Sequence, residues 1–149
     1  VELWSTPVGR TYSFRGTRYS LVDSPALAAR FATEFNMPFA SVAATAEQFA
    51  RVRAACEAAG RDPATLTLSA ALVACVGEDR SAVARGAAAI GRDPAELREN
   101  GVAGTPAEAV ETLRRFAEAG AERVYLQVLD LTDLDHLRLV AAEVAPHVR

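Results

Sequence analysis

Three apolar, β-rich runs divide the chain: FNMPFASV at 35–42, LTLSAALVACV at 66–76 and RVYLQVL at 123–129. The stretches between them are too long for hairpin turns and carry helical patterns instead. Two strands joined through a helix pair in parallel, and the crossover is right-handed. This alternation restricts the chain to the α/β class, with a parallel sheet covered by helices. In the first gap, residues 45–59 place Phe49, Val52 and Cys56 on one helical face. The second gap holds helical patterns at 80–90, 94–99 and 106–119. One more precedes the first run at 26–34, and another closes the chain at 134–144.

The N-terminal segment reads differently. VELW at 1–4 has the pattern of a last helical turn, stopped by the Thr6-Pro7-Val8-Gly9 breaker. Residues 12–14 and 18–21 alternate aromatic or apolar with polar side chains around Arg15-Gly16-Thr17, as a β-hairpin does. Asp23-Ser24-Pro25 then joins the hairpin to a helix, with Ser24 as N-cap and Pro25 as first helical residue. The expected organisation is one domain over 1–149, with a helix end and hairpin in 1–24 and β/α units in 25–149.

Composition narrows the function classes. With 149 residues, 50% hydrophobic and 23% charged, the chain is long and apolar enough to bury a core without metals or disulfides. A net charge of -3 leaves no basic stripe, so no nucleic-acid partner is expected. All positive charges are Arg, and the pairs Arg51/Arg53 and Arg114/Arg115 read as solvated helix faces. Cys56 and Cys75 lack metal-ligand or CxxC spacing and read as small buried hydrophobes, which points to a reducing, cytoplasmic setting. SAALVACVG is too short to span a membrane, so no membrane partner is expected either. The first residue is Val, which suggests that the chain begins partway through a longer product.

Several motifs invite a ligand and have a plainer explanation. GRDPA occurs at 60–64 and again at 91–95; each copy reads as a helix-stopping Gly followed by a capping Asp and a Pro that starts the next turn. GVAGTPAEAV at 101–110 is Gly-rich backbone ahead of a helix, a form that can cradle phosphate, yet Thr105, Pro106 and Glu108 also spell a capping box. Asp130, Asp133, Asp135 and His136 lack the spacing and turn glycine of an oxygen-ligand loop, and Asp133 reads as an N-cap. Gln127 interrupts an apolar strand, where it needs either a backbone partner or a ligand. No Ser or Cys elbow accompanies His136 or His147, and no paired carboxylates are framed for acid–base work.

From Pro25 onward, the segments LAARFATEFNMPFASV, FARVRAACEAAGRDPATLTLSAALVACVG, GVAGTPAEAVETLRRFAEAGAERVYLQVLDLTDLDHL and EVAPHV together resemble the C-terminal part of luciferase-like monooxygenases. The resemblance is to the actinobacterial branch of flavin- or coenzyme F-420-dependent oxidoreductases. It implies a partial TIM-type (β/α)8 barrel comprising the last three β/α units behind an N-terminal β-hairpin, without barrel strands one to five. It implies F-420 or FMN as cofactor and a small organic substrate at the strand C-terminal ends. The positions it carries over as cofactor-pocket lining are Asn36, Ser41, Gln127 and Asp130. In the family, a Gly-Gly strand that holds the cofactor phosphate separates two segments similar to DSPAL; here a single SPAL serves for both, as though a deletion had joined them. The resemblance therefore implies weak or absent cofactor binding and activity for the isolated chain. It also leaves uncovered strand faces and a sheet edge, so a homo-oligomer is expected. Three readings stand side by side: a truncated or internally deleted oxidoreductase, a non-enzymatic α/β oligomerisation or barrel-completing module, and a fragment of a longer product.

Overall fold

Phe35 is the second residue of one parallel strand, and Leu68 and Ala70 are the second and fourth of the next; all three turn one face of the sheet toward amphipathic helices. The computed structural model describes residues 24–148, together with the backbone of 2–4, 11–14 and 17–20. The strands are β1 (Glu2–Trp4), β2 (Thr11–Phe14), β3 (Thr17–Ser20), β4 (Glu34–Pro38), β5 (Thr67–Val76), β6 (Val102–Gly104) and β7 (Arg123–Gln127). The helices are α1 (Ser24–Phe31), α2 (Val42–Ala58), α3 (Arg80–Ala89), α4 (Pro94–Asn100), α5 (Pro106–Glu118) and α6 (Leu134–Glu143). Four strands lie side by side in the order β1-β4-β5-β7, all parallel, and the short β6 pairs with the far end of β5. β2 and β3 form the expected antiparallel hairpin. The fold is the partial barrel foreseen from the sequence, its β/α units carried by β4, β5 and β7.

The differences from expectation have local causes. Glu2–Trp4 is a strand parallel to β4, with Leu3 opposite Phe35, and not the end of a helix. Its three residues gain ladder partners that an isolated last helical turn could not supply. α1 stops at Phe31 rather than continuing to 34, because the β4–β5 ladder begins at once: Thr67 N–H donates to Thr33 O at 3.1 Å. β4 ends at Pro38, since Phe39 takes a positive φ of 50° and Ser41 caps α2, which starts at Val42, three residues before the helical pattern read from the sequence. The join read before Ser24 falls on residues 21–23, which lie outside the described residues, as does the cap proposed for the Ser24 side chain. β6 was unforeseen, its GVAG sequence reading as loop. A Cβ on Gly101 would lie 2.8 Å from both Leu97 O and Val73 O, so this glycine lets β6 close onto β5.

The two GRDPA copies behave as read. Gly60 and Gly91 have φ of 70° and 66°, Asp62 caps a 3-10 turn at Pro63–Thr65, and Asp93 caps α4. Arg61, within the first copy, reaches back to the end of α1, where its Nη1 donates to Ala32 O at 2.8 Å and Ala29 O at 3.2 Å. A cation over those free carbonyls stabilises the helix end.

Helices cover the sheet in two sections. Phe35, Phe49, Val52 and Cys56 join α1 and α2 to β4, with the Phe35 and Phe49 rings edge to face at 6.5 Å. Leu72, Val102, Val110 and Phe116 join α5 to β5 and β6. On the opposite face of β5, Val73 and Cys75 are covered by Val83 and Ala87 of α3 and Leu97 of α4. That third cluster covers only the C-terminal half of the strand.

Candidate functional site at the strand C-terminal ends

β5 ends in Val76-Gly77-Glu78, and β7 runs out through Val128-Leu129-Asp130; between them, walled by α3 and α6, lies an open cleft of about 410 Å³. This volume is within the ~300–1,000 Å³ range of small-molecule pockets. Its walls combine apolar side chains, among them Val76, Ala82, Ile90 and Leu139, with an acidic rim of Glu78, Asp130, Asp133 and Asp135.

Two close contacts shape the cleft. A Cβ on Gly77 would meet Val83 N at 2.7 Å and Ala82 Cβ at 2.8 Å, so only glycine lets the end of β5 lie against the first turn of α3. Asp79 then caps α3 by accepting Ala82 N–H at 2.7 Å. On the other wall, Asp133 accepts His136 N–H at 2.9 Å and fixes the first turn of α6. That turn aims the His136 ring at the strand end, where Nε2 accepts Val76 N–H at 3.1 Å. Since Nε2 is the acceptor, the ring proton of the neutral imidazole sits on Nδ1. His136 thus holds α6 to β5 and lines the cleft. The sequence signal for this contact was the capping aspartate three residues earlier, which fixes where the ring emerges.

Of the positions carried over by resemblance, only Asp130 lines this cleft. Its Oδ1 accepts Thr132 Oγ1–H at 2.7 Å and Thr132 N–H at 3.0 Å, and these bonds hold the carboxyl below its usual range. Ser41 is the N-cap of α2, accepting Ala44 N–H at 3.3 Å. Gln127 is the exposed last residue of β7. Asn36 is 5% exposed in the middle of β4; its Nδ2 donates to Ser69 Oγ at 2.9 Å, while Oδ1 has no partner among the described residues. The four positions do not converge.

A second polar cluster was not foreseen. Glu34, Arg123 and Tyr125 meet near the N-terminal ends of β4 and β7: Arg123 Nη1 lies 2.6 Å from Glu34 Oε2, and Tyr125 Oη donates to Glu34 Oε1 at 2.9 Å. Burial pushes the Glu34 carboxyl up, but bonds from Ser69 and Tyr125 and the Arg123 charge outweigh it and hold the group below the usual carboxylate range. Glu34 and Arg123 are 89 residues apart in sequence, so no local pattern announces them. In barrels of this type the N-terminal end of the strands serves stability and the C-terminal end serves chemistry.

The Gly-rich segment before α5 is closed to anions. Thr105 N–H donates to Glu108 Oε2 at 2.8 Å, completing the capping box, and a Cβ on Gly104 would clash with the same carboxylate. Glu108 therefore occupies the place a phosphate would need. Cys75 donates to Val83 O at 3.5 Å, and burial pushes its thiol up, away from nucleophilic use. Among the described residues no group of three His, Cys, Asp or Glu gathers to hold a metal, and no helix is long and apolar enough to cross a membrane.

No protein-family profile matches the chain, and no curated protein does. Solved structures do match in fold. The coenzyme F-420-dependent tetrahydromethanopterin reductase from Methanopyrus kandleri superposes with a TM-score of 0.69 at 13% identity, over 84% of this chain and 48% of that one. An F-420-dependent secondary alcohol dehydrogenase gives 0.69 at 15% identity, over 99% and 58%. The EDTA monooxygenase of Chelativorans sp. BNC1 gives 0.68 at 19% identity, over 83% and 43%. The chain therefore has the fold of part of the barrel of these oxidoreductases and spans about half the length of the proteins it matches.

Proposed function

We propose, from that shared fold, that the chain is the C-terminal β/α portion of a luciferase-like flavin- or F-420-dependent oxidoreductase acting on a small organic substrate. The observation that carries this reading is the open cleft between the C-terminal ends of β5 and β7. Active sites of (β/α)8 enzymes lie at that end of the strands.

The described residues fit one part of such a cofactor and not another. The apolar walls suit a planar ring system, with His136 and the strand-end backbone offering directional hydrogen bonds. A phosphate fits badly, because α3, α5 and α6 carry the carboxylates Asp79, Glu108 and Asp133 in their capping turns, where their helix dipoles would otherwise attract an anion. Arg85, the guanidinium in the cleft wall, donates to Ser81 Oγ at 2.7 Å. When bound, a flavin or deazaflavin would supply hydride chemistry; the chain's own part is to wall the ring from water and hold the Val76 backbone in place through His136. The isolated chain is therefore a weak cofactor binder with little or no activity.

Titration of the purified chain with FMN and with F-420, followed by fluorescence, tests this. Weak binding of either, lost on substituting residues of the cleft wall, is the expected result. Tight stoichiometric binding would contradict the incompleteness of the phosphate site, and no binding at any concentration would remove the cofactor reading.

A further inference from the structure

We infer that two copies of this chain close a single eight-stranded parallel barrel, the β7 edge of each pairing with the β1 edge of the other. The cleft at the strand ends is then completed by the second copy. This rests on the barrel fold alone and stands whether or not a flavin or F-420 binds.

The strand count comes first. β1, β4, β5 and β7 form one continuous run of four parallel strands, with β1 and β7 outermost among the described residues. A closed barrel of this type has eight strands, so a two-fold pair supplies the whole set.

Backbone direction is the second argument. Phe39 N–H donates to Ala71 O at 2.8 Å, so the backbone groups of Ala71 face β4 and those of Ala70 and Leu72 face β7. In a parallel ladder a residue bonds to the two that flank its partner. Ala70 and Leu72 have Val124 and Leu126 as partners, so Arg123, Tyr125 and Gln127 carry the bonds to β5, and Val124 and Leu126 turn theirs outward. The same alternation makes Glu34 and Asn36 face β1; their partners are Glu2 and Trp4, whose own backbone groups therefore face away from β4. Among the described residues, both edges therefore present donors and acceptors without a ladder partner.

The register follows from barrel closure. Stepping across partners leads from Glu2 to Glu34 to Thr67, but β7 starts at Arg123 opposite Ser69, so by β7 the path has slipped two residues toward the strand N-termini. A barrel shear of about 8 requires a slip of about four residues per two-fold-related half, leaving about two for the junction between copies. That sets Tyr125, Leu126 and Gln127 opposite Glu2, Leu3 and Trp4 of the second copy. In this register the outward groups of Val124 and Leu126 flank Glu2 and can bond to it, whereas an offset of one residue would break the alternation.

Light scattering on the purified chain and oxidative cross-linking test the proposal. The expected mass is twice 15.8 kDa. Directly opposed parallel residues lie about 4.8 Å apart, within disulfide reach, while an offset of two residues puts them about 8 Å apart and beyond it. The pair Gln127→Cys with Trp4→Cys should therefore give a covalent dimer, and Gln127→Cys with Glu2→Cys should not; the native Cys56 and Cys75 are buried. A monomer at every concentration overturns the proposal, and the mass measurement needs no variant. A dimer in which neither pair cross-links, or both do equally, overturns the barrel register. Neither outcome depends on the cofactor titration.

Discussion

Replacing His136 by Ala tests how the cleft is built. The Val76 N–H loses its acceptor, while the α6 cap survives because Asp133 accepts the backbone N–H of residue 136 and not its ring. A partly buried amide left without a partner costs about 1–3 kcal/mol. The contact is open to the cleft on one side, and water can replace part of the lost bond, so the lower half of that range, about 1–2 kcal/mol, applies. For a chain of this size the loss lowers Tm by about 3–6 °C. Two assays follow it: thermal unfolding by circular dichroism, and hydrogen exchange of the Val76 amide by NMR. His136→Gln offers an amide oxygen and should recover part of the Val76 protection. Unchanged exchange at Val76 in His136→Ala, with Tm within a degree of the parent, would refute the view that this ring ties α6 to the end of β5.

Two further outcomes concern the core and the Glu34 cluster. Phe116→Ala removes a ring that is 0% exposed between α5 and the sheet and should cost about 3–5 kcal/mol by denaturant unfolding, whereas Phe31→Ala, at 61% exposure, should change stability by less than about 0.5 kcal/mol. Glu34→Gln should lower stability at neutral pH and make no difference in strong acid. Because the folded-state carboxyl is held down, its stabilisation is present above the ordinary carboxylate range and disappears as pH falls through the lowered value. Parallel pH–stability profiles for the two proteins would contradict this.

The sequence carried the elements whose signals are local. The strands at β4, β5 and β7 were legible from apolar runs set among helical periods. So were the capping box at Thr105 and Glu108 and the paired turns at Gly60 and Gly91. Elements fixed by distant partners were less legible. Glu2–Trp4 has too few residues to show a period, and only the neighbouring β4 makes it a strand. β6 was hidden because its glycines serve close backbone approach, which resembles loop composition. The Glu34–Arg123–Tyr125 cluster depends on β4 and β7 flanking β5, a fact of topology rather than of motif. Of the pocket positions carried over from the resemblance, Asp130 reaches the cleft, while Asn36 turned out to be a buried partner of Ser69 and Ser41 a helix cap. A residue's place on a strand could be read from sequence; the face it presents depended on how the sheet assembles.

Hydrogen exchange at the Val124 and Leu126 amides, measured over a dilution series, tests the closed two-copy barrel most directly. These two N–H groups face away from β5 and have no ladder partner among the described residues of one copy. Protection at high concentration that disappears together with the dimer mass on dilution is the expected result. Rapid exchange at both amides at every concentration, with Tyr125 protected throughout, would show the β7 edge to be open and contradict the account.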